Sequence, residues 1–143
     1  MAHILVIDDD ADARRAMAQA LAYEGHLVVQ AGDGRRAWTV FEARVFDAVV
    51  CKVGLADRNG LDLIFHFRRA APGLAIVAVA QETDASDRDM TTAGCLGADG
   101  LVERPLEAQT LARAVDRARA LRDAAATPTT GRYAAPIAAA LAS

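Results

Sequence analysis

Short apolar runs alternate with helical patterns five times along the chain, and this alternation constrains the fold more than any other feature. The runs are short and rich in β-branched residues, as buried strands are, whereas the helical patterns space their apolar residues along one face. Strands that are separated by helices usually pair in parallel, with right-handed crossovers. The predicted strands lie at 3–7, 27–29, 48–51, 75–79 and 101–102, and the predicted helices at about 11–24, 35–44, from Gly60 onward, 86–96 and 107–122.

The fold class that this order predicts is α/β, a doubly wound (βα)5 domain with a five-stranded parallel sheet and helices on both faces. We expect the flavodoxin-like strand order 2-1-3-4-5, which places a functional site at the carboxyl ends of the first and third strands. Periodicity alone leaves other doubly wound orders open. The helix at 86–96 has the weakest pattern, because Thr91, Thr92 and Gly94 are poor helix formers.

The chain divides into one predicted domain over residues 1–122 and an Ala-rich C-terminal tail or linker stub over 123–143. The first part is long enough to bury a core of its own. The second part holds two prolines and almost no charge, a composition that favours disorder when such a segment is isolated.

Composition and charge exclude several classes of function. The net charge is −3 and the sequence shows no basic patch, so we expect no nucleic-acid partner. No apolar run approaches the roughly 18 residues of a membrane span, and the N-terminus lacks the basic region of a secretion signal. Cys51 and Cys95 are isolated and lack metal-ligand spacing, which fits a reducing compartment. The expected location is the cytoplasm.

Three consecutive carboxylates, Asp8, Asp9 and Asp10, directly follow the first predicted strand. Carboxylates clustered at the carboxyl end of a strand are oxygen ligands that suit Mg²⁺. The alternative is a solvated loop in which Asp10 caps the first helix. The spacing alone leaves a metal site and a capping loop both open.

Three blocks of sequence together resemble the receiver domain of response regulators in two-component signalling. The resemblance covers roughly residues 3–122, and the acidic pair Asp8 and Asp9 matches the pair that helps to hold Mg²⁺ in that family. It implies a domain that is switched when an aspartate accepts a phosphoryl group. The three blocks are Ile4–Asp9, Phe46–Gly60 and Gly97–Pro105.

Several positions that carry the chemistry of the family hold other residues in this chain. Lys52 stands at the position of the phosphoryl-accepting aspartate, and Ala80 at the position of a hydroxyl residue that contacts the phosphoryl group. Arg104 matches a lysine that precedes a proline, and Leu101 matches the aromatic residue of the switch. Because an ammonium group cannot form an acyl phosphate and repels a metal ion, we expect no cofactor, weak or lost Mg²⁺ binding and no enzymatic activity.

Lys52 is the only lysine among sixteen basic residues. The formal charges of Asp8, Asp9, Lys52 and Arg104 sum to zero, so the Lys52 ammonium can stand where the charge of a metal would be. Glu82 is a second candidate partner for that ammonium. The alternative is that Lys52 extends into solvent and that the site is merely eroded.

The sequence therefore favours a non-phosphorylatable pseudo-receiver that acts through protein–protein interaction in a two-component or phosphorelay pathway. The expected partners are a histidine kinase, another receiver, or a factor for proteolysis or localisation. A homodimer would use the face formed by the helix at 86–96, the strand at 101–102 and the helix at 107–122.

Two other functions stay open. The first is a receiver-like regulator that is switched by a small ligand or by a non-standard phosphoacceptor such as Asp10 or Asp57. The second places the function in residues 124–143, as a degradation signal or a docking peptide.

Overall fold

The computed structural model describes residues 1–55, 60–80, 93–94, 96–104 and 106–142, with side chains described as far as residue 125. Asp57, Glu82 and most of the predicted helix at 86–96 lie outside these residues. The described elements are β1 (His3–Ile7), α1 (Ala11–Tyr23), β2 (Leu27–Ala31), α2 (Gly34–Ala43), β3 (Ala48–Lys52), α3 (Gly60–Ala70), β4 (Ala75–Ala80), β5 (Gly100–Glu103) and α4 (Ala108–Ala142).

The five strands form one parallel sheet in the order β2-β1-β3-β4-β5, which confirms the predicted fold class. Ile7, the last residue of β1, pairs with Ala31 on one side and with Cys51 on the other. Lys52, the last residue of β3, pairs with Val79 of β4. Because all strands run the same way, their carboxyl ends meet at one edge of the sheet, here named the carboxyl edge, and their amino ends meet at the opposite, amino edge.

The two faces of the sheet bury two halves of the core. Successive side chains of a strand point to opposite faces, so Leu5 and Ile7 of β1 pack on the side of α2 and α3, whereas Ile4 and Val6 pack on the side of α1 and α4. Every residue of β4 is buried, as expected for a strand that is covered on both faces. The described helices therefore cover the sheet on both faces.

The C-terminal helix is longer than the sequence predicts. Its amphipathic pattern ends at about residue 122, yet α4 continues to Ala142. Alanine has the highest helix propensity of all residues, and the chain is rich in alanine beyond residue 122, which favours a helical backbone there, whereas Pro128 and Pro136 in the same stretch oppose it. Within the described residues, no helix combines the length and the apolar character that crossing a membrane requires.

The first residue of α3 lies in close contact with the end of β3. The backbone N–H of Gly60 donates a hydrogen bond to the carbonyl oxygen of Val53 at 2.8 Å. A Cβ atom at position 60 would lie 2.1 Å from the carbonyl oxygen of Lys52 and 2.5 Å from that of Val53. Only glycine lets the helix begin this close to the strand, and the contact fixes the segment that carries Lys52.

Substitution of this glycine is expected to destabilise the domain. Gly60→Ala should lower the free energy of unfolding by about 3 kcal/mol or more, because the added methyl group overlaps backbone atoms of β3. Gly73→Ala is the matched control, since a Cβ atom at position 73 has no heavy atom within 4 Å and should change stability by less than about 1 kcal/mol. Urea unfolding measures both variants, and equal midpoints would contradict the close packing.

Candidate functional site

Four strand ends bring the predicted site residues to the carboxyl edge of the sheet. Asp8 directly follows β1, Lys52 ends β3, Ala80 ends β4 and Arg104 directly follows β5. Since β1 and β3 are neighbours in the sheet, Lys52 stands beside the acidic residues that follow β1. The parallel topology alone therefore gathers these residues into one cluster, here named the carboxyl-edge pocket.

Asp8 is the buried centre of the carboxyl-edge pocket, with 0% of its surface exposed. Its Oδ1 accepts a hydrogen bond from the backbone N–H of Asp10 at 2.8 Å, and its Oδ2 forms an ion pair with the Arg104 guanidinium. The backbone N–H of Arg104 donates to the carbonyl oxygen of Ala80 at 2.9 Å. Burial lowers the pKa of the Arg104 guanidinium from its ordinary value. The Asp8–Arg104 pair thus joins the end of β1 to the end of β5.

The ammonium of Lys52 is held by the second aspartate. Lys52 Nζ donates a hydrogen bond to Asp9 Oδ1 at 2.8 Å. Only 12% of the Lys52 side chain and 24% of the Asp9 side chain are exposed. Of the two arrangements that the sequence leaves open for Lys52, the structure has the internal pairing and not the side chain that extends into solvent.

Asp10 serves as the N-cap of α1 and lies apart from the two ion pairs. Its Oδ1 accepts hydrogen bonds from the backbone N–H groups of Asp12 at 3.0 Å and Ala13 at 3.1 Å. This geometry satisfies two donors that the first turn of a helix otherwise leaves free. Within the described residues, Asp8 and Asp9 each face a cation across the pocket, whereas the Asp10 side chain caps the helix.

Arg14 is a residue of the site that the sequence analysis did not identify. Its Nη1 donates to the carbonyl oxygen of Asp8 at 3.0 Å, and its Nε donates to Oε1 of Gln30 in β2 at 3.2 Å. The side chain therefore fastens the acidic loop to the neighbouring strand. An arginine one turn after a helix cap was the available signal, although the helical pattern did not show which strand it faces.

Two further predicted positions contribute no polar side chain to the pocket. Ala80 is buried and presents a methyl group, at the position where the sequence resemblance implies a hydroxyl residue. Leu101 lies in β5 opposite Ala78 and is 40% exposed, so it lies apart from the ion pairs. Glu82, the second candidate partner of Lys52, lies outside the described residues.

The pocket residues do not fit a magnesium ion. Mg²⁺ requires oxygen ligands in near-octahedral geometry, usually including carboxylates. Here the Arg104 guanidinium faces Asp8 Oδ2, and the Lys52 ammonium lies 2.8 Å from Asp9 Oδ1. Among the described residues, no group of three or more His, Cys, Asp or Glu side chains could hold a metal ion.

Comparison with known protein families identifies the class of this domain. The family model described as "Response regulator receiver domain" matches residues 4–116. The chain therefore belongs to the family of response regulator receiver domains, which are signalling modules of two-component systems. This agrees with the resemblance carried by the three sequence blocks.

The curated relatives include transcriptional regulators. The chain is 34% identical to "Probable transcriptional regulatory protein TcrX" of Mycobacterium tuberculosis over 103 residues, which are 71% of this chain and 43% of that protein. It is 32% identical to "DNA-binding transcriptional regulator NtrC" of Azospirillum brasilense over 117 residues, which are 82% of this chain and 24% of that protein. The chain thus spans less than half the length of these relatives.

Solved structures show the same fold. The receiver domain of NtrX from Brucella abortus is 28% identical, with a TM-score of 0.77, and the match covers 82% of this chain and 98% of that one. A CheY-like receiver domain protein from Methanospirillum hungatei is 22% identical with a TM-score of 0.80, over 86% of this chain and 97% of that one. The second likeness concerns the fold alone.

Loss of the buried carboxylate should destabilise the domain strongly. We expect Asp8→Ala to lower the free energy of unfolding by about 3–5 kcal/mol, because it leaves the Arg104 guanidinium without its partner in a buried position. Asp12→Ala is the control, since it breaks an ion pair with Arg15 in which both side chains are largely exposed and should have almost no effect. Chemical denaturation distinguishes the variants. Equal stability of the two would show that the Asp8–Arg104 pair does not hold the strand ends together.

Proposed function

We propose that this receiver domain is a pseudo-receiver, which accepts no phosphoryl group at the usual position and acts through protein contacts in a cytoplasmic two-component or phosphorelay pathway. The observation that carries the proposal is the side chain at the end of β3. Lys52 stands at the position of the phosphoryl-accepting aspartate, and its ammonium is bound to Asp9 at 2.8 Å. The domain keeps the receiver scaffold and lacks the group on which phosphorylation acts.

The chemistry of phosphoryl transfer supports this proposal. Formation of an acyl phosphate needs a carboxylate nucleophile, together with cations that neutralise the transferring oxygens. Lys52 offers no carboxylate, and Ala80 offers no hydroxyl that could hold a phosphoryl group. Arg104 retains positive charge, but its guanidinium is planar and already paired with Asp8, unlike the compact ammonium that the family has at this position.

Charge balance also supports a pocket that works without a metal. The two cations, Lys52 and Arg104, match the two carboxylates, Asp8 and Asp9, so the four side chains carry no formal net charge. A metal ion that bound to these two carboxylates would have to compete with both cations. We infer that Mg²⁺ binding is lost or weak and that the domain needs no cofactor.

The partner surface that we propose is the face of β5 and α4. It carries an exposed apolar residue, Leu101, beside a cleft of about 480 Å³ that Thr110, Arg113 and Arg117 help to line. The net charge of −3 gives these 143 residues no general attraction to nucleic acid. The candidate partners for this face are a histidine kinase, another receiver, a proteolysis or localisation factor, and a second copy of the chain.

Phosphorylation of the wild-type domain should fail. Incubation with acetyl phosphate and Mg²⁺ is expected to produce no acid-labile gain of one phosphate in the intact mass, because position 52 has no carboxylate. Lys52→Ala is the matched control, which removes the ammonium without adding an acceptor and should behave in the same way. Near-stoichiometric labelling of the wild type would overturn the proposal, and labelling at Asp10 or Asp57 would instead favour a regulator with a non-standard acceptor.

Mg²⁺ should leave the wild-type domain unchanged. We expect no shift in melting temperature at millimolar Mg²⁺, because Lys52 and Arg104 already neutralise the two carboxylates. Lys52→Asp changes the formal charge of the four pocket residues from 0 to −2, so this variant should be less stable without metal and should gain stability when Mg²⁺ is added.

The matched control for the metal experiment is Lys52→Ala, which removes the ammonium but adds no third carboxylate. It should respond to Mg²⁺ less than Lys52→Asp does. If the wild type is stabilised by Mg²⁺ as much as Lys52→Asp, the ammonium does not act as the cation of the pocket. Thermal melts at several Mg²⁺ concentrations measure all three proteins.

A further inference from the structure

A second ionic cluster lies at the amino edge of the sheet, opposite the carboxyl-edge pocket. It joins three segments that are far apart in sequence: Arg68 in α3, Asp99 immediately before β5, and Arg122 in α4. Only 4% of the Asp99 side chain is exposed. None of these residues contributes to the carboxyl-edge pocket, and phosphoryl or metal chemistry has no use for them.

Arg68 fixes the framework of this cluster. Its guanidinium donates to Asp99 Oδ2 at 2.8 Å and to the carbonyl oxygen of Gly97 at 2.8 Å. The same side chain reaches the carbonyl oxygens of Pro72 at 2.9 Å and Leu74 at 2.7 Å. It therefore binds the end of α3, the turn before β4 and the loop before β5 to one another. Burial lowers the pKa of Arg68, and the neighbouring Asp99 opposes that shift.

Backbone hydrogen bonds also hold Asp99 in place. The backbone N–H of Asp99 donates to the carbonyl oxygen of Ile76 at 2.7 Å, and Asp99 Oδ2 accepts the backbone N–H of Ile76 at 3.0 Å. The carboxylate therefore has a defined position at the start of β4, with its other oxygen, Oδ1, directed to α4.

Arg122 connects α4 to this fixed carboxylate. Its Nε donates to Asp99 Oδ1 at 2.7 Å, its Nη2 contacts the same oxygen, and its Nη1 donates to the carbonyl oxygen of Pro72 at 3.3 Å. The next three side chains, at 123–125, are exposed. Arg122 is thus the last residue of α4, within the described side chains, that is bonded to the body of the domain.

Apolar contacts do not hold this part of α4 against the domain in the way that Arg122 does. The fully buried side chains of α4 are Leu111, Val115 and Ala118, and none follows Ala118 in the described residues. Leu121 is 51% exposed. Between Ala118 and the exposed residues that follow Arg122, the contacts that direct the helix are therefore those of the Arg122 guanidinium. Charge-assisted hydrogen bonds to a fixed acceptor are directional, whereas apolar contacts are not.

We propose that the Arg68–Asp99–Arg122 cluster is a conformational lock that sets the direction in which α4 leaves the domain. Arg68 and the backbone fix Asp99, and Asp99 fixes Arg122, so the helix beyond residue 122 leaves at one angle. The lock lies at the opposite edge from the carboxyl-edge pocket and shares no residue with it.

The test compares the direction of α4 with and without the arginine. Nitroxide labels at Val45→Cys, which replaces an exposed residue, and at Ala125→Cys report the distance between the domain and the helix in a Cys95→Ser background. Burial raises the pKa of the Cys51 thiol to about 12, so that residue does not compete for the label. Arg122→Ala should broaden the distance distribution by about twofold, since the last turns lose their tie to Asp99.

Amide hydrogen exchange in the full chain, without labels, gives an independent readout. In Arg122→Ala, the amides of 119–125 should exchange about tenfold faster or more, which corresponds to the loss of a charge-assisted hydrogen bond. The amides of 111–115 should be unchanged, because the apolar contacts of that half are intact. A merely structural role of Arg122 would accelerate exchange in both segments together.

Two further variants complete the experiment. Asp116→Ala, which removes an exposed charged residue from the same helix, should leave both readouts at the wild-type values. Arg122→Lys, which keeps the charge but not the forked donor, should broaden the distribution by less than Arg122→Ala. The proposal is overturned if the Arg122→Ala distribution is as narrow as that of the wild type, or if Asp116→Ala broadens it equally.

Discussion

The ion pair between Asp8 and Arg104 is the interaction on which the carboxyl-edge pocket depends. Asp8 is fully buried at the end of β1, and an ionised carboxylate in such a position costs several kcal/mol unless a cation and hydrogen bonds compensate it. Arg104 reaches it from beyond β5, so the pair crosses the ends of β3 and β4, which lie between them in the sheet. This leaves Asp9 as the carboxylate that holds Lys52.

The sequence predicts the fold well and the pocket in part, for reasons that differ between residues. Five alternations of strand and helix leave few topologies, so the sheet order follows from general rules. Lys52 and Asp9 could be expected to meet because neighbouring parallel strands end at one edge. The partner of Arg104 could not be assigned, because a long guanidinium side chain can reach any of several strand ends.

The Arg68–Asp99–Arg122 cluster gave no local signal in the sequence, since its members come from three elements. The helical backbone past residue 122 agrees with the alanine content of that stretch and runs against its two prolines, whereas amphipathic spacing ends the predicted helix at residue 122.

The two ionic clusters lie at the two ends of the part of α4 that packs on the sheet. Arg104 precedes the helix by four residues and is paired with Asp8, and Arg122 is paired with Asp99 at the opposite edge. Between them, Leu111 and Val115 are buried against the sheet. If the carboxyl-edge pocket keeps the fixed, metal-free arrangement that we propose, α4 keeps one position against the sheet. The domain would then present the surface of β5 and α4 to a partner in one form.

Because α4 is long, the direction of the helix at Arg122 determines where its far end lies. From Arg122 the helical backbone runs on to Ala142, about 30 Å at 1.5 Å per residue. For a straight helix of that length, a tilt of about 10° at Arg122 would move the far end by about 5 Å. A small change of angle at Arg122 would therefore displace the end of the helix at Ala142 by about the pitch of one helical turn.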